Sequence, residues 1–286
     1  MQRIVGIIGG SGLYEMDGLG EVEEIHVHTP FGEPSDALVR GKLGETTLYF
    51  LPRHGRGHRI APHRINYRAN IFALKKVGAE QIISVSAVGS LREQIAPGHM
   101  VVVDQFIDRT RSRKSTFFDD FGLVAHVGFG DPVDANLSSA LVQCAKEAGA
   151  TVHEGGTYVC MEGPQFSTRA ESELYRSWGA SVIGMTNLPE AKLAREAELP
   201  YASLAMATDY DCWHVSEKAV TVEAVIAVLQ KNARLAQEIL KNLAVRLPDP
   251  IQSPAANALQ NAIITNPVHI KPEARTALAP LLGKYL

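Results

Sequence analysis

The chain has 286 residues, 45% of them hydrophobic and 21% charged, with a formal net charge of −3. That length and balance predict one packed α/β core, with or without an extension, and the slight acidity argues against nucleic acid or an anionic membrane as the main partner. No apolar run approaches the roughly 18 residues that span a bilayer, and three scattered cysteines, Cys144, Cys160 and Cys212, with no CxxC pair predict neither a disulfide framework nor a zinc site.

The chain begins in a strand-like core segment, "RIVGIIGG", with no leader pattern, which reads as a cytoplasmic enzyme. Residues 4–8 and 47–51 are continuous apolar runs and predict strands covered on both faces. A helix follows over 66–76, then strands over 81–86 and 100–103. Residues 110–131 are loop-like, rich in charge and phenylalanine, and a loop of that length is more often functional than filler. Helical spacing returns at 138–148, 170–178 and 190–196, alternating with strands at 158–161, 181–185 and 201–207. The clearest helix is 221–243, with Val222, Val225, Ile226, Leu229, Ala233 and Leu240 close to one face. Strands alternating with helices predict an α/β sandwich, with a central mixed, largely parallel sheet flanked by helices. Three prolines within 246–257 cannot continue that helix. They divide a catalytic domain, 1–247, from an extension, 248–286, which is too small for its own core and is expected to pack on this chain or a neighbour.

Ligand sites in open α/β sheets lie at the carboxyl ends of strands. After the predicted strands come "GGSG" (9–12), "PRHGRGH" (52–58), "SAVGS" (86–90), "EGPQFSTRAE" (162–171), "GMTNLPE" (184–190) and "TDYD" (208–211). Each has a structural alternative. "GGSG" can be a tight turn, since its spacing is not GxGxxG and no acid completes a dinucleotide pattern. "RHGRGH" can be a solvated basic loop, and Ser86 and Thr186 can be helix caps. Together, Ser11, Arg53, His54, Ser86 and Thr186 offer hydroxyl donors, a planar charged fork and glycine-exposed N–H groups, which suit an oxyanion such as phosphate. No cluster has metal-ligand spacing, and no GxSxG elbow occurs; no metal and no cofactor are expected.

At the end of 201–207, Asp209 and Asp211 flank Tyr210, with Trp213 close behind. A carboxyl group at a dry strand end has its pKa pushed up. Once protonated it donates to one atom and accepts from its neighbour, which matches N7 and the 6-amino group of adenine. A capped surface turn is the alternative. Phe166 could cover a base by stacking, and Val222 and Val225 could line a pocket that wants no hydroxyl.

Eight stretches carry a resemblance over about residues 4–245: "GIIGGSGL" (6–13), "TPFGEPSDAL" (29–38), "RHGRGHRIAPHRINYRANI" (53–71), "GSLREQIAPG" (89–98), "DQFIDRT" (104–110), "EGPQFSTRAE" (162–171), "WGASVIGMTNLPEA" (178–191) and "YASLAMATDYDCW" (201–213). On these the chain resembles the purine nucleoside phosphorylase superfamily, and within it the methylthioadenosine phosphorylases. The resemblance implies phosphorolysis of 5′-methylthioadenosine to adenine and 5-methylthioribose 1-phosphate. It gives phosphate to Ser11, Arg53, His54, Ser86, Ala87 and Thr186, and places Met185 under the ribose. Asp209 and Asp211 then face the adenine as catalytic residues, supported by Ser167, and Val222 and Val225 flank the methylthio group. It also implies a homotrimer in which His126 is lent by a neighbour. Val88 and Gly184 depart from the family pattern; Gly184, standing where Asn is common, implies looser ribose or base contacts.

Three other readings compete. A phosphorylase for 6-oxopurines such as methylthioinosine would set a carbonyl against a carboxyl oxygen, and mismatched buried polar groups reject analogues strongly. A hydrolytic nucleosidase would not need the hydroxyl and arginine cluster. A nucleoside-binding protein with little catalysis is the reading from another class, since fold alone does not give function.

Overall fold

The run RIVGIIG becomes β1 (Arg3–Gly9), and its side chains alternate between two apolar layers: Val5 and Ile7 face one, Ile8 the other. In chain order there follow β2 (Gly20–Ile25), β3 (Leu38–Leu43), β4 (Thr46–Pro52), α1 (Tyr67–Lys76), β5 (Gln81–Ser90), β6 (Met100–Val102), β7 (Gln105–Arg109), α2 (Ala135–Glu147), β8 (Val152–Glu154), β9 (Thr157–Met161), α3 (Arg169–Ser177), β10 (Val182–Gly184), α4 (Asn187–Glu196), β11 (Tyr201–Tyr210), α5 (Val222–Ala244), α6 (Pro272–Ala277) and α7 (Ala279–Leu282). The computed structural model describes residues 3–214 and 222–286; the side chains of Ser11, of residues 222–227 and of Leu229 lie outside the description.

One mixed sheet runs β2-β3-β4-β1-β5-β10-β9-β7, and β11 pairs with β5 and β6, with β8 beyond β6. Six of its ten pairings are parallel. β5 is the hub: its first half lies between β1 and β11, and its end turns antiparallel to β10. α1 and α4 cover one face, where Ile71, Phe72, Leu74, Leu193 and Ala194 pack. α2 and α5 cover the other with Leu137, Leu141, Ile239, Leu240 and Leu243. Every strand and helix read from the apolar runs is present. The strands with no forecast, β2, β3, β7 and β8, lie toward the sheet margins and are short or charged. β2, GEVEEI, is almost wholly exposed and is held by its ladder with β3, so it has no apolar run to betray it. Among the described residues no helix is long and apolar enough to cross a membrane.

The long segment 110–131 is anchored along its length. Phe117 and Phe118 are buried, and Phe117 N–H donates to Glu196 Oε2 at 2.9 Å. Arg113, with its side chain 1% exposed, donates to the carbonyls of Met185 (2.6 Å), Leu188 (2.7 Å) and Glu162 (2.7 Å). Farther on, the segment pairs with the C-terminal residues: His126 N–H donates to Ala262 O, and Ile264 N–H to Val124 O. Those C-terminal residues pack on this same chain. Leu259, Ile270, Ala274, Leu278, Leu281 and Leu282 join the apolar layer that holds α1.

Burial pushes the Glu196 carboxyl up to about 7, against the pull of the Phe117 N–H. The folded state therefore holds this proton more tightly than the unfolded chain. The stability linked to it is full below about 4.5 and is lost as pH rises through 7. Glu196→Gln keeps the acceptor for Phe117 and carries no charge. Its unfolding free energy should match wild type near pH 4.5 and exceed it at pH 8 by on the order of 2–3 kcal/mol. Denaturant unfolding at both pH values checks this; equal stability at pH 8 would refute it.

Candidate active site

The carboxyl ends of β1, β4, β5, β9, β10 and β11 converge on a cleft of about 940 Å³, where this class of sheet places its ligands. Gly9, Gly10, Arg53, His54, Ser86, Ala87 and Thr186 line it. Arg53 is 2% exposed and forms a forked ion pair with Glu190: Nε donates to Oε2 at 2.8 Å and Nη2 to Oε1 at 3.1 Å. Nη2 also reaches Ser84 Oγ at 2.7 Å and Ile8 O at 3.2 Å, and Nη1 reaches Val85 O at 3.0 Å. Among the described residues nothing takes the second Nη1 hydrogen. The guanidinium is thus a structural knot with one donor to spare, rather than the freely offered fork the sequence suggested.

His54 differs from its sequence reading as well. Burial, with Arg53 beside it, pushes its imidazolium down to about 4, so the ring is neutral near pH 7. Its Nδ1 lies 2.8 Å from Ile60 O. A carbonyl only accepts, so Nδ1 carries the hydrogen and Nε2 keeps a lone pair. His54 therefore offers an acceptor at Nε2 and is not a second cation. Neither Ser86 nor Thr186 caps a helix with its side chain. Ser86 sits within β5 and its hydroxyl donates to Asn187 Oδ1 at 3.2 Å. Thr186 occupies the N-cap position of α4 with no capping bond from its side chain.

Asp209, Asp211, Phe166 and Met185 line the same cleft. β11 pairs Ala207 with Val88 and then Asp209 with Gly89, so Thr208 is an extra residue in a bulge. Bulges re-aim the strand beyond them. Gly89 makes room: a Cβ there would lie 3.2 Å from Asp209 Oδ1. Burial raises the Asp209 carboxyl to about 6; the Thr208 hydroxyl, 2.7 Å from Oδ2, pulls it down, and Asp211 pushes it up. Burial also raises Asp211, whose Oδ2 has no hydrogen-bond partner among the described residues. The two aromatics of the turn brace it from behind. Trp213 Nε1 donates to Ser90 O at 2.8 Å and Tyr210 Oη to Glu93 O at 3.0 Å. Phe166 is 62% exposed beside the cleft, a large ring with little to cover it.

The remaining sequence-stated residues fall elsewhere. Ser167 lies behind the wall, its hydroxyl 3.5 Å from Met161 Sδ. His126 is exposed on the 110–131 segment and does not line this cleft. The side chains of Ser11, Val222 and Val225 lie outside the described residues, although Gln230 and Ala233 of α5 reach the cleft. Gly184 does not loosen the wall. A Cβ there would lie 2.1 Å from Tyr158 Oη, so the phenol already fills that space. Sequence reasoning missed Glu190, Arg113 and Tyr158. A buried arginine demands an acid, but nothing in the sequence says which of 31 acids supplies it.

The family model described as "Phosphorylase superfamily" matches residues 4–244. An S-methyl-5′-thioadenosine phosphorylase of Geobacter sulfurreducens is 57% identical over the full length of both chains. A crystal structure of a methylthioadenosine phosphorylase from an antarctic soil metagenomic library superposes with a TM-score of 0.92 at 48% identity, covering 99% of this chain and 100% of that one. An adenosine/methylthioadenosine phosphorylase variant of Schistosoma mansoni, in complex with methylthioadenosine, has a TM-score of 0.79 at 38% identity, covering 86% and 93%. With its strand order, its cleft and these full-length likenesses in agreement, the chain belongs to the phosphorylase superfamily, in its S-methyl-5′-thioadenosine phosphorylase family.

Proposed function

We propose that the chain catalyses phosphorolysis of 5′-methylthioadenosine, giving adenine and 5-methylthioribose 1-phosphate. The observation that carries this reading is a carboxyl group raised to about 6 in a cleft that also gathers hydroxyls, an arginine N–H and a neutral imidazole. The C1′–N9 bond breaks with its electron pair passing to the purine. C1′ becomes oxocarbenium-like, and phosphate below the ring stabilises the cation and then bonds to it. Asp209 protonates or shares a proton with N7, which makes adenine the better leaving group. The same carboxyl accepts from the 6-amino group, which a 6-oxopurine lacks. Inorganic phosphate is the co-substrate and no cofactor takes part.

The site assignments belong to the same proposal. Phosphate is held by Ser11, Ser86, Ala87, Thr186, the spare hydrogen of Arg53 and Nε2 of His54. Phe166 stacks on the base, Met185 lies under the ribose, Ser167 and Asp211 support the base end, and Val222 and Val225 flank the methylthio group. We read 1–247 as the catalytic domain and 248–286 as an extension, in a cytoplasmic homotrimer where the exposed His126 completes a neighbour's site. Release of free base from methylthioadenosine, adenosine, methylthioinosine and inosine, each with and without phosphate, tests the function. Phosphate-dependent release that favours methylthioadenosine is expected; release at the same rate without phosphate would make the enzyme a hydrolase.

Asp209→Asn keeps the shape but cannot supply a proton. Its kcat for methylthioadenosine should fall by about 10²–10⁴-fold, with preference shifting toward methylthioinosine. The pH profile gives a second reading of the same group. The protonated form is the donor, so at saturating phosphate kcat/KM should decline as pH rises through about 6. That limb should vanish in the variant. A wild-type rate and unchanged base preference in Asp209→Asn would leave the acids as a turn.

Arg53→Lys keeps a cation and gives up the planar fork. Phosphate KM should rise more than nucleoside KM, and the unfolding free energy should fall by up to about 3–5 kcal/mol, the range for breaking a buried pair. Unchanged phosphate saturation in the folded variant would remove Arg53 from the anion site.

A further inference from the structure

We infer that Tyr158 is a positioning residue for the proposed phosphate site, holding the main chain of Thr186 where the threonine side chain meets the anion. The inference rests on the reading of Thr186 as a phosphate ligand. Tyr158 is 0% exposed on β9, one strand over from the β10 end that leads into Thr186. Val182 is its register partner, and side chains two residues apart share a face of a sheet. The phenol therefore lies along β10 toward Gly184. Only glycine fits there, since a Cβ would stand 2.1 Å from the phenol oxygen and 2.6 Å from Cζ. The ring is fixed from the far side by Phe106, edge to face at 5.8 Å.

Burial drives the phenol well above its ordinary value, so it stays protonated and neutral. Its oxygen takes the Thr186 N–H at 3.4 Å. The Thr186 side chain makes no capping bond to α4, and Thr186 lines the cleft. Tyr158 thus holds the main chain of that loop without lining the cleft itself, and because its oxygen occupies the Thr186 N–H, the threonine meets the anion by its side chain.

Tyr158→Phe removes one oxygen and keeps the ring packing. Phosphate KM at saturating methylthioadenosine should rise about three- to tenfold, the worth of one neutral hydrogen bond. Nucleoside KM at saturating phosphate should stay within about twofold of wild type. An unchanged phosphate KM overturns the proposal. So does a parallel rise in both KM values with a drop in Tm, which would mark the phenol as core packing only. Wild-type enzyme that releases adenine at full rate without phosphate would overturn the phosphorolysis reading, and this inference with it. A phosphate-dependent wild type beside an indifferent Tyr158→Phe would overturn this inference alone.

Discussion

The buried Arg53–Glu190 pair ties together the elements whose ends make the site. Arg53 stands just past β4 and reaches carbonyls of β1 and β5, the Ser84 hydroxyl on β5, and Glu190 on α4. Glu190 also takes the hydroxyl of Tyr201 at the start of β11, at 2.9 Å. One ion pair thus fixes four parallel-aligned strands and a helix against each other at the level where the cleft opens. Desolvating two charges is expensive, and such pairs rarely add net stability. This one is satisfied at nearly every donor and acceptor, so its effect is to specify one relative placement of those strands.

That arrangement sets the electrostatics of the cleft. A cation already compensated by a carboxylate and a histidine kept neutral by burial leave little net positive charge around Arg53 and His54. In the proposed phosphate site, recognition of the anion then rests on oriented dipoles: hydroxyls, backbone N–H groups and one arginine hydrogen. Dipoles fixed by the fold need no reorganisation when charge develops in the transition state. In the same cleft the carboxyls of Asp209 and Asp211 are raised by burial. Burial thus acts in opposite directions on the two groups, lowering an imidazolium and raising a carboxylic acid, and both move toward the neutral form.

The core was legible because buried parallel strands have a distinctive composition. Residues 4–8, 47–51 and 201–207 are apolar or small apart from Thr47 and Ser203, and each is a strand covered on both faces. The edge strand β2 was not legible, because three glutamates in six residues look like a loop until the ladder with β3 is seen. At the site, residue types at strand ends pointed to a cleft with an anion end and a base end, and Arg53, His54, Ser86, Thr186, Asp209 and Phe166 do line one cleft. What the chain could not disclose was pairing over distance. Arg53 and Glu190 are 137 residues apart, and Tyr158 meets Gly184 only because β9 and β10 are neighbours. The charge state of His54 was hidden for the same reason, since it depends on burial and on a carbonyl six residues on.

The long segment 110–131 shows how a distant stretch shapes the cleft without entering it. Arg113 gathers the carbonyls of Met161 and Glu162 on one side and of Met185 and Leu188 on the other. These flank the two loops that carry Phe166 and Thr186. A buried guanidinium bonded to backbone oxygens fixes main chain rather than side chains, so it sets where both loops leave the sheet. The same segment is held by Phe117 and Phe118 in the core, by Glu196 at the end of α4 and by the C-terminal residues near Ile263. The position of Met185 therefore depends on contacts that begin in the last thirty residues or so and pass through one arginine. A stretch that reads in the sequence as a long charged loop is the strut between the tail and the wall of the cleft.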